Sequence, residues 1–411
     1  MSQCRLFDEG EVTGPLCNDL CHTKLLQVQQ CLTSVPEKKV FSGSWNGRGV
    51  VLKQAQQWFE QMEGIDIPRA NTEKVLMELL EDIIERHFGH CANCTKIVRK
   101  FLQHANANSD ARISQVEAKN FLALIFHQEP FMVALLNGSK HSVDFFGYCG
   151  AIYVVEKVPV NAELIFESSV VLHDYIFPEA FDQLDELLRS LSSVVLDFHF
   201  LRNSGISRAL NFIALNVASI IYRNIYQVRV PSYKERLSFA KSLLEALQTL
   251  SESPYGAVQS CDSHIGNFGL TNDSVVKVLD YDQLFAQEYL RIKLGNTKCE
   301  SDCVVGGHQE CASVCDKTTG YCYSDLVSQD LQNSCSSLLR TIFDRTVYQE
   351  LVNPEDAGAQ CQLNVIRKII NYCREIPVVS STTESRKHVD MVKNLLMAAE
   401  EDLKACANFH E

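Results

Sequence analysis

The spacing of hydrophobic and polar residues in the first part of the chain predicts strands and one long helix. Val40–Trp45 is rich in β-branched and aromatic residues, and Asn46-Gly47 favours a tight turn before a return strand at Gly49–Gln54. From Thr72 to His87, apolar residues recur every three or four positions, which is the spacing of an amphipathic helix. Ala151–Val158 consists almost entirely of β-formers and predicts a central strand.

The pattern changes after Val158, where helical spacing dominates. Helices are predicted at Phe181–Leu188, Leu210–Tyr222, Tyr233–Leu250, Leu338–Phe343, Asn364–Cys373 and Met391–Leu403, with one short strand at Val275–Leu279. This order indicates an α+β fold with two lobes, in which a sheet-containing lobe (36–158) precedes a helical lobe (159–411). Residues 1–35 are rich in cysteine and short of periodicity, so we expect them to form a stapled cap.

Charge and hydropathy exclude some classes of protein. The 411 residues carry 38 Lys and Arg against 51 Asp and Glu, a formal net charge of −13, which argues against a nucleic-acid binder. The longest apolar stretch, Ala209–Tyr222, is shorter than the ~18 residues of a membrane span and predicts a buried helix instead. Met1–Asp8 lacks the apolar segment of a secretory signal, so the chain is either cytosolic or lacks its targeting segment.

Cysteine usage favours the secretory pathway over the cytosol. The 17 cysteines cluster at the start, between 299 and 335, and near the end of the chain, which is typical of a disulfide framework. Zinc is the alternative, but Cys91–Cys94 is the only C-x-x-C and has no second pair nearby. Glycosylation sequons at Asn93, Asn137 and Asn272 agree with a secretory lumen. Cys261 lies outside the clusters and is predicted to be the free thiol.

Three fragments carry the chemistry expected of phosphoryl transfer. Lys53 lies on the strand that follows a tight hairpin, as does the lysine that neutralises nucleotide phosphates in kinases. Asp262 and Asn267 have the spacing of the kinase catalytic loop, whose Asp orients the acceptor hydroxyl and whose Asn binds metal. Asp280 follows a strand 13 residues later, in the position of the magnesium-binding Asp of D-F-G.

Each fragment alone has an ordinary explanation: a solvated edge lysine, a chance spacing and a turn carboxylate. Their order along the chain favours a kinase-like site that binds ATP with Mg²⁺ or Mn²⁺. Such a site needs a helix carboxylate to hold Lys53, and Glu78 is the predicted partner, with Glu81 and Glu73 as alternatives.

A fourth motif, within about 91–126, has the spacing of an EF-hand loop. Its twelve positions supply calcium ligands from Asn106, Asn108, Asp110, the carbonyl of Arg112, Ser114 and Glu117. Only two of these ligands are acidic, and the sixth position is Ala111 instead of glycine. A calcium site inserted in the sheet-containing lobe is therefore one interpretation, and a relic loop without the ion is the other.

Several ordered fragments resemble the divergent protein kinase domain 1 family, once grouped as family with sequence similarity 69. They include Cys17–Cys21, Gly43–Trp45, Gly147–Gly150, Pro254–Gly256 and Cys299–Cys303. The resemblance implies a kinase-like fold with a calcium-binding insert, on the lumenal side of the endoplasmic reticulum, with a short N-terminal membrane anchor. The anchor is not found in this chain, secretion is an alternative, and residues 191–228 are expected to be an insertion.

The chain also departs from active kinases. Leu32–Lys39 contains no glycine to close over phosphates, and Ser260-Cys261 replaces the His-Arg of the catalytic loop. His264 replaces the loop lysine, and Asp282 replaces the D-F-G glycine, where it could add a metal ligand. The first hypothesis is a secretory-pathway kinase acting on a lumenal protein or glycan. The second is an inactive pseudokinase that serves as a binding scaffold, and a third, weaker one is a calcium buffer.

Overall fold

The computed structural model describes residues 2–33, 39–55, 57–89, 93–110, 112–166, 233–299, 303–305, 307–326, 333–334, 337–343 and 382–407, with single positions between 361 and 372. The predicted helices at 181–188 and 210–222 and the predicted insertion at 191–228 lie outside these residues. Within them, helices and strands are mixed, as the α+β prediction expects.

A five-stranded antiparallel sheet contains the predicted hairpin. Its strands are β1 (Leu26–Cys31), β2 (Val40–Trp45), β3 (Arg48–Gln54), β4 (Phe145–Cys149) and β5 (Ile152–Glu156), in the order β1-β2-β3-β5-β4. The turn between β2 and β3 has positive φ at both Asn46 (50°) and Gly47 (77°). This backbone matches the twist of the strands that it joins, and the Asn-Gly prediction is confirmed.

The two faces of β3 pack against different partners. Val50 and Leu52 are buried in a small cluster with Leu16 and Leu26. Val51 points the other way and packs against the main core. Side chains alternate along a strand, so Lys53 shares the face of Val51.

The N-terminal cap is more regular than its sequence suggests. It forms α1 (Ser2–Asp8) and α2 (Cys17–Cys21) ahead of β1. Two disulfides stabilise the cap: Cys4–Cys21 lies within it, and Cys17–Cys149 links it to β4.

The Cys17–Cys149 bond closes a loop of 132 residues and is expected to contribute strongly to stability. Replacing both cysteines with alanine should lower the free energy of unfolding by about 2–5 kcal/mol, because the bond restricts the unfolded chain. Denaturant unfolding measures this loss. Cys31→Ser is the matched control, since Cys31 is exposed and is the free cysteine among the described residues. An equal loss in both variants would contradict the prediction.

A group of helices lies between β3 and β4 in the chain. These are α3 (Trp58–Gly64), α4 (Thr72–Phe88), α5 (Cys94–Ala105), α6 (Gln115–Ile125) and α7 (Gln128–Leu136). The predicted helix at Thr72–His87 is confirmed by α4, whose apolar face is buried in the main core. Phe101 meets Phe121 and Phe131 with ring centroids 5.8 and 5.1 Å apart, which joins α5, α6 and α7 in that core.

The described residues that follow β5 form helices and short strands. These elements are β6 (Val160–Asn161), α8 (Glu163–Phe166), α9 (Tyr233–Ser251), β7 (Val258–Ser260), β8 (Phe268–Leu270), β9 (Val276–Val278), β10 (Leu284–Ala286), α10 (Gln287–Gly295), β11 (Val304–Val305), β12 (His308–Ala312), β13 (Cys315–Asp316), β14 (Tyr321–Cys322), α11 (Leu338–Phe343) and α12 (Thr382–Ala407). The predictions at 233–250 and 338–343 are confirmed. The strand predicted at 275–279 is shorter in the structure than predicted, and the helix predicted at 391–403 is longer in the structure than predicted.

None of the described helices has the length and hydropathy needed to cross a bilayer.

Disulfides also hold the cysteine-rich segment, as its composition predicts. The bonds are Cys261–Cys311, Cys299–Cys315 and Cys303–Cys322. The prediction of Cys261 as the free thiol is therefore wrong. The amide of Cys261 donates to the carbonyl of Gln283 (2.8 Å), and the side chain is buried against Cys311, which is far away in the sequence. Because Cys299, Cys303 and Cys322 are in disulfides, their close sulfurs offer no thiolate to zinc.

Candidate functional site

Lys53 forms an ion pair with Glu129 on the inner face of the sheet. Its ammonium group donates a hydrogen bond to Glu129 Oε1 and a second one, of 2.9 Å, to the carbonyl oxygen of Leu279. The two charged side chains are only 12% and 11% exposed, so water screens the pair weakly. Two bonds from different parts of the chain therefore hold the amine in one place.

The prediction that Glu78 pairs with Lys53 is wrong. Glu78 lies on the exposed side of α4, where Lys74 is its neighbour at 3.8 Å, and the alternatives Glu73 and Glu81 are exposed too. The apolar face of α4 packs into the core, so its acidic face turns to solvent. The carboxylate that reaches Lys53 comes instead from the first turn of α7, after the helix–loop–helix.

Hydrogen bonds also connect Lys53 to the segments that contain the other predicted site residues, Asp262, Asn267 and Asp280. The amide of Leu279 donates to the carbonyl of Asn267 (2.8 Å), so the strand that precedes Asp280 runs beside Asn267. The side-chain amide of Asn267 in turn donates to the carbonyl of Asp262 (3.0 Å). A chain of direct hydrogen bonds thus connects Lys53 to the segment of each of the other three predicted residues.

Several negatively charged side chains act on Tyr153, which lies beside Lys53. It faces Lys53 across the β3–β5 pair and is fully buried, and burial is the main cause that raises the pKa of its phenol well above the usual value. The charge of Glu129, a hydrogen bond to Glu129, and the charges of Asp280 and Asp282 raise this pKa further. Three carboxylates therefore act on the buried tyrosine that faces Lys53, and such an excess of negative charge suits a divalent cation.

The turn that carries Asp280 is anchored by the residue after it. The ring of Tyr281 is buried, and its hydroxyl bonds Ser142 Oγ (2.8 Å) and accepts from the amide of Val143 (2.9 Å). The backbone amide of Asp282 lies 3.4 Å from Asp280 Oδ1, to which it donates. The position of Asp280 thus depends on a buried tyrosine where kinases have the phenylalanine of D-F-G.

The helix that carries Glu129 is held from a second side. His87, near the end of α4, lies 2.6 Å from Gln128 Oε1 and 3.2 Å from the carbonyl of Phe126 through its two ring nitrogens. Burial lowers the pKa of His87 to about 4, so the ring stays neutral at ordinary pH and donates to only one of these two oxygens at a time. Gln128 also donates to the carbonyl of Leu284, just beyond Asp282. These bonds join the start of α7 to the strand that follows the two aspartates.

A disulfide holds the predicted catalytic loop. Cys261, which replaces the loop arginine, is bonded to Cys311 in the cysteine-rich segment. His264 Nδ1 accepts from the amide of Gly266 (3.1 Å) and shapes the short turn that ends at Asn267. A covalent bond therefore fixes a loop that kinases fix through an arginine and a phosphate.

The predicted calcium loop is ordered around Glu117. The carboxylate of Glu117 accepts from the amides of Asn108 (3.2 Å) and Ser114 (2.8 Å), and the Ser114 side chain completes a capping box. Asn108 and Asp110 each accept from a backbone amide two residues further on. The side-chain oxygen of Asn106 is buried and has no hydrogen-bond partner among the residues that the structure describes.

This set of groups fits a calcium ion. Oxygen ligands would come from side chains at alternate positions and from the carbonyl of Arg112, and a buried oxygen such as Asn106 Oδ1 costs free energy until a donor or a cation reaches it. Ala111 lies outside the described residues.

Comparison with protein families agrees with this geometry. Residues 121–376 match a model described as the protein-kinase domain of FAM69, and residues 1–103 match one described as the N-terminal cysteine-rich ER region of FAM69. The chain belongs to the FAM69 family. It is thus a secretory-pathway, kinase-like protein, and its cysteine-rich N-terminus is of the kind assigned to the endoplasmic reticulum.

In this member of the FAM69 family, the Lys53–Glu129 pair joins the two matched regions. Lys53 lies in the cysteine-rich match, and Glu129, Asp262, Asn267 and Asp280 lie in the kinase-domain match. Domain boundaries at 35/36 and 158/159 remain a prediction.

The sequence contains a signal for Glu129 that the spacing argument missed. Glu129-Pro130 stands before the apolar run Phe131–Leu136, and an acid and a proline in a first turn are typical of a helix start. That helix is the last one before β4, whereas Glu78 lies in the first helix that the sequence pattern predicted after Lys53.

A cavity of about 470 Å³ lies away from these residues. It is lined by Arg48, Glu156, Lys157, Asn272 and Lys277 among others, and by none of the predicted catalytic residues. The size of the cavity therefore does not identify it as the reaction site. The hydrogen bonds that connect Lys53 to the segments of the other predicted residues are the stronger argument for a site at Lys53.

Proposed function

We propose that this protein transfers the γ-phosphoryl group of ATP to a hydroxyl of a lumenal protein or glycan acceptor. The observation that carries the proposal is the bond of Lys53 to both Glu129 and the carbonyl before Asp280. A scaffold would have no need to bring a buried lysine to the aspartate of a metal site. Phosphoryl transfer depends mainly on positioning and charge, which such an arrangement supplies.

Each residue has a proposed role. Lys53 holds and neutralises the nucleotide phosphates, and Glu129 keeps the amine directed at them. Asp262 accepts the proton of the acceptor hydroxyl. Asn267 has its amide nitrogen committed to the carbonyl of Asp262, so its amide oxygen is the atom oriented to ligate a metal.

Asp280 and Asn267 are the residues that would hold Mg²⁺ or Mn²⁺, with Asp282 beside them. The carboxylates gathered around Tyr153 support this set of donors. When bound, the metal neutralises the charge that develops on the phosphate oxygens.

The decisive experiment is transfer of labelled γ-phosphate by the full chain, purified from a secretory expression system, to lumenal protein and glycan fractions. ATP binding is measured in parallel by a thermal shift with Mn²⁺. Loss of both signals in Lys53→Met would support the assignment. If ATP binds and no phosphate is transferred to any fraction, the pseudokinase hypothesis replaces this one.

We also propose that the loop from Asn106 to Glu117 binds calcium on the lumenal side. The unpartnered, buried oxygen of Asn106 supports retention of the ion over a relic loop.

Glu117→Gln is expected to weaken calcium binding by at least about tenfold, because a bidentate carboxylate becomes a neutral amide. The single amide oxygen of glutamine can still accept from the amide of Ser114, which keeps the capping box, whereas the bond from the amide of Asn108 is lost. Calorimetric titration of the wild-type and variant chains with calcium measures the change. Glu85→Gln, an exposed change on α4, is the matched control, and equal heats from all three chains would refute the site.

Calcium at this loop would act on Glu129 and thereby on Lys53. The last ligand, Glu117, is in the first turn of α6, and only Phe126 and His127 separate α6 from α7. Ordering α6 would therefore stabilise the helix start that carries Glu129. Unchanged ATP affinity on addition of calcium would contradict this coupling.

A further inference from the structure

The three glycosylation sequons lie in different environments. Asn272-Asp273-Ser274 forms the turn between β8 and β9, where all three residues are exposed. The turn is closed by the amide of Ser274 donating to the carbonyl of Thr271 (3.0 Å), and Ser274 has a φ of 60°. Within the described residues, the side chains of Asn272 and Ser274 make no hydrogen bond.

The other two sequons are engaged in the fold. The side-chain oxygen of half-buried Asn137 accepts from the amide of Phe145 (3.0 Å), and its carbonyl accepts from Lys100 (2.7 Å). The side-chain nitrogen of half-buried Asn93, where a sugar would be attached, donates to the carbonyl of Pro254 (2.9 Å). The side chains of Asn93 and Asn137 are thus engaged in contacts within the fold, whereas the side chain of Asn272 is exposed to solvent.

We propose that Asn272 carries an N-linked oligosaccharide. The proposal rests on passage through the endoplasmic reticulum, which the family match supports, and is independent of phosphoryl transfer. The donor is a lipid-linked oligosaccharide pyrophosphate. A bond forms between the side-chain nitrogen of Asn272 and C1 of the first sugar, the bond from that carbon to the pyrophosphate oxygen breaks, the amide loses one proton, and the lipid pyrophosphate leaves.

The glycan would stand clear of the proposed reaction site. Asp280 follows the end of β9, whereas the sequon precedes its start, so the strand separates them. Asn272 borders the cavity with Lys157 and Lys277, and Lys53 does not line it. Attachment is therefore expected to leave ATP binding unchanged.

The test uses the full chain, expressed behind a cleavable secretory signal in mammalian cells. An amidase that hydrolyses the side-chain amide of a glycosylated asparagine should release the glycan, increase the gel mobility of the chain and convert Asn272 to Asp, which peptide mass spectrometry detects in heavy-oxygen water. Asn272→Gln and Ser274→Ala should each lose the shift due to this glycan. Asn137→Gln, the matched control, should keep it.

The state of Cys261–Cys311 in the same sample separates two kinds of failure. An unmodified Asn272 in a chain that has formed this disulfide overturns the glycan site itself. A chain that enters the secretory pathway and forms neither the disulfide nor the glycan overturns the premise of oxidative folding, and the proposal with it. Normal melting temperature and ATP binding in Asn272→Gln are expected, because the side chain is exposed.

Discussion

Glu129→Gln is expected to reduce phosphoryl transfer by about 100-fold, because a lysine that loses its charged partner is no longer held in the reactive position. Lys53 and Glu129 are both nearly buried, so the ion pair acts in a weakly screened environment. The substituted glutamine would keep the shape of the side chain and lose only the charge. The initial rate of labelled phosphate transfer at saturating and subsaturating ATP measures the effect.

Glu78→Gln is the matched control. It makes the same chemical change on α4, where the carboxylate is exposed and pairs with Lys74, so transfer should stay within about twofold of the wild-type rate. Melting temperatures of both variants show whether either has lost its fold. If Glu78→Gln proved the more damaging change, the assignment of the Lys53 partner would be wrong.

Asp280→Ala is expected to lower transfer by about a thousandfold, the largest effect proposed, because it removes the carboxylate expected to hold the metal against the phosphates. Lys53 would still bond Glu129 and the carbonyl of Leu279 in this variant. Loss of activity should therefore come with weaker Mn²⁺ binding, measured by titration, and with little change in melting temperature.

The control for that change lies on the same hairpin. Asp273 is exposed in the turn before β9, so Asp273→Ala should leave both transfer and Mn²⁺ binding at wild-type levels. Equal Mn²⁺ affinity in wild type and Asp280→Ala would place the metal elsewhere and remove the proposed role of Asp280.

Sequence patterns were sufficient to predict the elements whose conformation depends on interactions between neighbouring residues. The Asn46-Gly47 turn, the hairpin that it joins and the helix from Thr72 all depend on neighbouring residues, and all were predicted. The spacing of Asp262 and Asn267 was informative for the same reason, since a short loop keeps them in hydrogen-bond contact through the backbone of Asp262.

Contacts between distant segments were harder to predict. Cys261 bonds Cys311, and Lys53 bonds Glu129 across 76 residues and Leu279 across 226. Sequence order pointed to the first helix predicted after Lys53, but which helix face meets the sheet depends on how the whole insert packs. The exposed acidic face of α4 excludes Glu78, and the buried start of α7 supplies Glu129.

By itself, the sequence determined the family resemblance, the disulfide-rich character and the order of the proposed catalytic side chains, because these follow from residue types and short spacings. Only the tertiary structure decided which carboxylate holds Lys53, which cysteine pairs with Cys261 and which sequon is exposed. Those outcomes depend on burial and on the meeting of distant segments, where desolvation and packing of the whole core select one partner among several of the same type.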